Sequence, residues 1–249
     1  MSHFANYPSL KDEAVIVTGG ATGIGASIVE HFAGQGARVG FLDFDATAGR
    51  DLAERTRSTF RHCDLRDIAA LKADMIALER EIGPPLALVN NAARDDRHKI
   101  EEVTVEYWDE RVATNLRHQF FAAQAVVPAM RRRKRGSIIN MGSISWMLPE
   151  GGMPVYLTSK AAVTGLTRAL ARDLGPDAIR VNSVLPGWVM TERQLKHWMN
   201  PAAEVELMKN QCLKEKLYPP DIARMVLWLA ADDSRMVTAQ NFIVDGGWA

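Results

Sequence analysis

The sequence predicts an α/β fold: one doubly wound parallel sheet with helices on both faces and a short helical segment laid over one end. Two observations predict it. Short apolar runs at 14–18, 37–43, 59–63, 86–90, 136–141, 180–185 and 241–244 alternate with amphipathic stretches, among them 104–133 and 155–174. That rhythm is the one parallel βαβ units with right-handed crossovers require. No linker, repeat or low-complexity segment interrupts it, so residues 1–249 read as one domain.

Taken in order, the first run, Ala14-Val15-Ile16-Val17, reads as a buried strand. It leads into Thr18-Gly19-Gly20-Ala21-Thr22-Gly23-Ile24-Gly25, which opens a helical pattern through Ile28, Val29 and Phe32. Glycines let the backbone turn tightly and approach a pyrophosphate, and the helix N-terminus meets that anion with N–H groups and its positive dipole end. An ordinary Gly-rich turn would read the same. The flanking strand and helix supply the context that a dinucleotide-binding, Rossmann-type unit needs. The second run closes on Asp43, about 20 residues beyond the glycines, where a carboxylate accepts from an adenosine ribose and repels a 2′-phosphate. No Arg or Lys lies within the glycine turn or directly after Asp43, so NAD is expected over NADP. Asp43 could also cap the next helix, and both roles can coexist.

The run 136–141 delivers Ser143 to a loop ahead of Tyr156, where its hydroxyl can bond the reacting oxygen of a substrate. Tyr156 and Lys160 lie four residues apart and share a helix face. An ammonium there favours the phenolate and lowers the phenol pKa from about 10, giving a general base near neutral pH. Residues 188–217 carry no strand pattern and are rich in Met, Lys, Glu and Gln.

Composition is that of an ordinary globular protein, with 47% hydrophobic and 24% charged residues and a formal net charge of zero. Nothing in that balance points to nucleic acid. The basic run 131–135 sits at the end of a long helical stretch, where cations complement the dipole. Cys63 and Cys212 lie far apart, and the six histidines are scattered without ligand spacing. A reduced, cytoplasmic protein without a metal is expected. The N-terminus lacks a signal pattern, and no apolar run approaches the ~18 residues of a membrane span.

On these motifs the chain resembles the short-chain dehydrogenase/reductase family over essentially its whole length. The resemblance assigns Asn115, Ser143, Tyr156 and Lys160 as a catalytic tetrad. It assigns Gly19, Thr22, Gly23, Ile24, Gly25, Asp43, Asp64, Leu65, Asn91, Pro186, Gly187, Val189 and Thr191 to the cofactor, together with Tyr156 and Lys160. Asp64 would contact adenine, and residues 188–217 would form a mobile lid over the substrate. The family usually has glycine after Asn-Asn-Ala; here Ala93 stands there, and a positive φ would strain it.

The loops at the carboxyl ends of the strands are polar: Arg94-Asp95-Asp96-Arg97-His98-Lys99, then Ser143-Ile144-Ser145-Trp146, then Trp188, Gln194 and Trp198. Indole faces beside charged and amide groups suit a polyhydroxylated ring. Exposed loop charges and core tryptophans would give the same pattern. These words, with Asn115-Leu116-Arg117-His118 and Gln211-Cys212-Leu213-Lys214, are similar to bacterial sugar 1-dehydrogenases acting on pentoses such as D-xylose or L-arabinose. The resemblance implies NAD-dependent oxidation of an aldose at C1, with Ser143, Ser145, Trp146, Tyr156, Asp95, Trp188 and Gln194 facing the sugar, in a homotetramer. Another sugar, a deoxy-sugar acid or a small secondary alcohol stays open as substrate. A non-catalytic dinucleotide sensor is the reading from another class, and retention of all four catalytic positions speaks against it.

Overall fold

In the computed structural model, residues 4–249 are described; residues 1–3, with His3 of the scattered histidines and the start of the N-terminal stretch, lie outside them. β1 (Ala14–Thr18) and β4 (Pro85–Asn90) are buried at every position, as central strands covered on both faces must be. They pair in parallel. Outward from β1 come β2 (Arg38–Asp43) and β3 (Thr59–His62), and outward from β4 come β5 (Gly136–Met141), β6 (Ile179–Pro186) and β7 (Asn241–Val244). The seven-stranded order β3-β2-β1-β4-β5-β6-β7 reverses between β1 and β4. The crevice beyond the carboxyl ends of those two strands is where a doubly wound sheet binds its ligand.

One face of the sheet packs through Val15, Val17 and Val89 on Ile28 and Phe32 of α1 (Gly23–Gly34), Leu52 of α2 (Ala46–Thr56), and Ile222 and Val226 of α9 (Pro219–Ala230). The other packs through Ile16, Leu88 and Val181 on Leu71 and Leu78 of α3 (Ile68–Ile82), Val126 of α5 (His118–Arg133), and Ala171 and Leu174 of α6 (Pro154–Leu174). Strands at 14–18, 136–141 and 241–244 stand as expected, and the other four differ by a residue at one or both ends. Ala37, for example, is lost from β2 because its N–H closes the end of α1 on Phe32 O at 3.1 Å.

The stretch 104–133 is not one α-helix. α4 (Val105–Val112) runs into a π-helical turn at Ala113–Arg117 before α5 begins. Such widened turns concentrate at functional sites, and this one carries Asn115. The basic run at the end of α5 is paired: Arg131 and Lys134 with Asp177, Arg132 with Glu79, Arg133 and Arg135 with Glu13, and Arg135 also with Asp232, at 2.6–2.9 Å. Residues 188–217 form α7 (Glu192–His197) and α8 (Pro201–Asn210). The two ends of that segment are pinned together where Met190 N–H donates to Leu217 O at 2.8 Å. Among the described residues no helix is long and apolar enough to cross a membrane.

Candidate active site

The Gly-rich turn is built against the Asn90-Asn91-Ala92 segment. The Thr18 hydroxyl accepts from the N–H groups of Asn91 (3.1 Å) and Ala92 (3.3 Å), and Asn91 Nδ2 donates to Gly19 O at 2.7 Å. A buried polar chain runs behind it, Asn90 Nδ2 to Asn140 Oδ1 (2.9 Å) and Asn140 Nδ2 to Thr167 Oγ1 (3.0 Å), so β4, β5 and α6 are held in one register. A Cβ on Gly19, which has φ +66°, would lie 2.6 Å from Ala92 Cα, and one on Gly25 would lie 1.8 Å from Gly19 O. Only glycine fits either place. The N-terminus of α1 carries no side-chain cap, which leaves its first amides for an anion. These residues fit a dinucleotide pyrophosphate. Ala93 is not among the residues with positive φ, so alanine there carries no strain of that kind.

Asp43 does not cap α2; Asp45 does, accepting from the N–H groups of Thr47 and Ala48. Asp43 instead accepts from Ala21 N–H at 2.8 Å and Asp45 N–H at 2.9 Å, which fixes its carboxylate between the glycine turn and the end of β2. Asp64 lines the cleft just after β3. Both its oxygens are engaged by the Arg66 guanidinium at 2.6–3.0 Å, because a spacing of two lets Arg66 fold back bidentately. That pairing holds the carboxyl below its usual range, and Arg66 continues to Glu110 at 2.9 Å.

Ser143 Oγ lies 2.7 Å from Ser145 Oγ and bonds the Tyr156 hydroxyl. Lys160, buried, donates from Nζ to Met141 O at 2.7 Å and stands 5.7 Å from the centre of the Tyr156 ring. Burial lowers its ammonium to about 8, opposed by Asp95. The Tyr156 phenol is pushed up, first by burial and then by the Asp95 carboxylate, with the Ser143 bond and Arg97 acting the other way. The net lowering expected from Lys160 is not found; loss of solvent and then the acid at 95 raise the phenol instead. Asn115 lies fully buried behind this group on the π-turn, its Oδ1 accepting from Arg94 N–H at 2.7 Å and its Nδ2 without a protein partner. His118, one residue beyond that turn, is held down to about 3 by burial and by Lys160, so it stays neutral.

In front of the buried Asn115 and His118 lies one cleft of about 870 Å³, lined by every expected cofactor and substrate residue except Trp146. Trp146 is turned away on the short helical turn after Ser143, with its indole N–H buried; Trp198 also lies off the cleft, under the Arg97 guanidinium at 5.2 Å. Asp95 accepts from Gln194 Nε2 (2.7 Å) and Arg193 Nε (3.2 Å), and Gln194 Oε1 accepts from Trp188 Nε1 at 2.9 Å. Arg97, from the expected substrate loop, and Glu150 line the same cleft, as do Arg193 and Trp248, which sequence reasoning missed. Trp248 follows β7 and was within reach of the rule that ligands sit at carboxyl ends of strands. Its N–H and that of Gly247 donate to the Asp245 carboxylate at 3.0 and 2.7 Å.

A family model described as "Enoyl-(Acyl carrier protein) reductase" matches residues 19–249. The chain is 48% identical to a D-xylose 1-dehydrogenase of Caulobacter vibrioides, covering 98% of each chain. It is 45% identical to a probable galactose dehydrogenase of Rhizobium meliloti, over 98% of this chain and 97% of that one. Among solved structures, a putative short-chain alcohol dehydrogenase from Sinorhizobium meliloti superposes with a TM-score of 0.90 at 27% identity, covering 97% of this chain and 98% of that one. The chain belongs to the short-chain dehydrogenase/reductase family and is a nicotinamide-dependent oxidoreductase acting on a small molecule.

Proposed function

We propose that this protein oxidises a cyclic aldose, a pentose such as D-xylose or L-arabinose, at its anomeric carbon with NAD, giving the aldonolactone. The observation that carries the reading is the wall facing Tyr156. Asp95 acts on the phenol and is itself positioned by Gln194 and Arg193, with the Trp188 indole behind Gln194. A carboxylate, an amide and an indole beside the reacting atoms suit a ring with several hydroxyls better than an acyl chain or a sterol. The two sugar dehydrogenases among the relatives support the same class.

In this mechanism Ser143 holds the C1 hydroxyl and shares its developing negative charge. Tyr156, as phenolate, takes the hydroxyl proton while the C1–O bond gains double-bond character. A bound nicotinamide ring supplies the acceptor for the hydride that C1 releases. Lys160 holds the nicotinamide ribose and keeps a positive charge near the phenol. Asn115, whose Nδ2 is buried without a protein partner, supplies a donor for a water linking Lys160 to solvent. The glycine turn and the α1 N-terminus hold the pyrophosphate. Asp43 accepts from the adenosine ribose and repels a 2′-phosphate, which favours NAD over NADP. Arg66 lines the same cleft, but its guanidinium is committed to Asp64 and Glu110.

The whole chain acts as one catalytic unit with residues 188–217 as its lid, in the cytoplasm, as a homotetramer. Val105, Trp108 and Phe120 remain exposed on α4 and α5, an apolar strip fit for helix pairing between copies. Light scattering that returned 27.6 kDa would reject the tetramer. Initial rates with NAD and NADP across pentoses, hexoses, sugar acids and simple alcohols test the rest. A pentose with NAD should be fastest and Tyr156→Phe inactive. Faster turnover with NADP at limiting concentration, or a simple alcohol outpacing every sugar, overturns the corresponding part.

A further inference from the structure

The helix that carries Tyr156 starts without a cap of its own. Met153, at the N-cap position of α6, caps no N–H of the helix, its Sδ accepting instead from Arg97 Nη1 at 2.6 Å, and Pro154 follows at the first helical position. Proline has no N–H, so Val155 is the first residue of α6 with an orphan donor. That N–H donates to Nε2 of His98, 3.4 Å away on the loop after β4. The main-chain N–H of His98 also donates to Gly152 O at 2.7 Å, so His98 grips the chain on both sides of Met153.

The ring of His98 is fixed from its other edge. Nδ1 lies 3.0 Å from Asp96 O and 3.0 Å from the Tyr107 hydroxyl on α4. Tyr107 meets the imidazole edge-on at 63°, and the Arg111 guanidinium lies 5.5 Å over the Tyr107 ring. An amide N–H can only donate, so Nε2 must offer its lone pair and the proton of the neutral imidazole sits on Nδ1, where Asp96 O accepts it. The ring is buried and its tautomer is set by partners on two elements.

We propose that His98 is a positioning residue for the catalytic tyrosine: an N-cap for α6 supplied by the substrate loop, which fixes where the helix begins and so where the Tyr156 hydroxyl stands against Ser143. The proposal rests on Tyr156 being the catalytic base, but not on which alcohol is oxidised. It also ties the loop bearing Asp95 to the helix bearing Tyr156, so the group that faces the substrate and the base that deprotonates it move as one body.

His98→Leu removes the acceptor and keeps the bulk; His98→Gln keeps an acceptor of comparable reach. In His98→Leu the Val155 amide should exchange with deuterium about fivefold faster or more. Its kcat, on whichever substrate the wild type turns over best, should fall by about tenfold to a hundredfold, as small misplacements of a catalytic group do. The NADH dissociation constant, by fluorescence titration, should change much less than kcat, because the glycine turn and the α1 N-terminus lie outside α6 and only the Lys160 ribose contact depends on it. His98→Gln should recover most of both losses. Unchanged Val155 exchange in His98→Leu overturns the cap, and lost protection with an unchanged kcat overturns the positioning role. Should His98→Leu fail to fold, a long-range nitrogen–proton spectrum of the wild type decides: an Nε2–H tautomer at His98 overturns the proposal. A wild type that oxidises no sugar ends the aldose reading and leaves these outcomes standing.

Discussion

Gly25→Ala probes the cofactor cradle with a perturbation of known size. A Cβ at residue 25 would sit 1.8 Å from Gly19 O and 2.6 Å from Asn91 Nδ2, whereas ordinary contact begins at 3.4 Å. The Gly19 carbonyl must therefore retreat by 3.4 − 1.8 = 1.6 Å. It cannot do so alone, since its oxygen accepts from Asn91 at 2.7 Å and its N–H donates to Leu42 O at 2.7 Å. A backbone amide that bonds an anion at about 2.9 Å and moves by that much is no longer bonded to it. Losing one or two such charge-assisted bonds costs about 1.5–3 kcal/mol each, roughly a tenfold to hundredfold loss of affinity per bond. The NADH dissociation constant should rise by about a hundredfold, read by fluorescence titration. Gly34, at the far end of the same helix, is the control: nothing lies within 4 Å of its built Cβ. Gly34→Ala should leave NADH binding unchanged and stabilise the helix by about 0.5 kcal/mol, or roughly 1–2 °C in Tm. A Gly25→Ala protein that binds NADH within about threefold of wild type would refute the seating of the pyrophosphate on this turn.

Three further outcomes follow from the same geometry. Asp95→Asn removes a carboxylate that disfavours the phenolate of Tyr156, so the phenol pKa should fall and the rising limb of kcat against pH should move to lower pH; a limb that stays put or moves up rejects Asp95 as the charge acting on the base. Arg111→Met takes out a buried guanidinium that pairs with Asp96 and Glu110. Each acid keeps another arginine, so the loss should be below the usual range for a broken buried pair, about 2 kcal/mol or roughly 4–8 °C in Tm by calorimetry, and no change would mean the pair is solvated. Cys63 is buried and its thiol is pushed up to about 12, mainly by burial and then by Asp74; iodoacetamide at about pH 8 should label Cys212 alone in the native chain, and equal labelling of both by mass spectrometry contradicts the buried placement.

Legibility in the sequence followed the range of the interaction. β1 and β5 are apolar runs ending at Thr18 and Met141 just before glycines, and both were placed to the residue. The glycine turn and the Tyr156–Lys160 pair are local too, and their spacing alone puts them on one turn or one helix face. The π-turn at Asn115 was not legible, because one extra residue in a helical turn leaves no mark on the hydrophobic period of 104–133. Nor was the fate of Trp146, which follows a strand as Trp248 does and yet turns away from the cleft that Trp248 lines. The elevated phenol of Tyr156 is illegible for the same reason, since it comes first from burial in the folded cleft and then from Asp95 on another loop.

The charged residues around the cleft carry that distinction furthest. In sequence, Arg66, Glu110, Arg111 and Arg193 look like solvated loop and helix decoration, with nothing to tie them to Asp64, Asp95 or Asp96. Folded, they form a continuous series of pairs from the Asp64 loop, across α4, to the lid. The bonds that join its parts span 44 residues for Arg66–Glu110 and 98 for Arg193–Asp95, and Gln194 reaches Asp95 across 99. Helical and strand periodicities carry information over four residues or fewer, so they can announce the base and the glycine turn and say nothing of these partners. The chemistry of this protein is written in short spacings. On the function proposed, its choice of substrate is written in long ones, because what Asp95 would offer to a bound ring depends on which of its oxygens Gln194 and Arg193 have already taken.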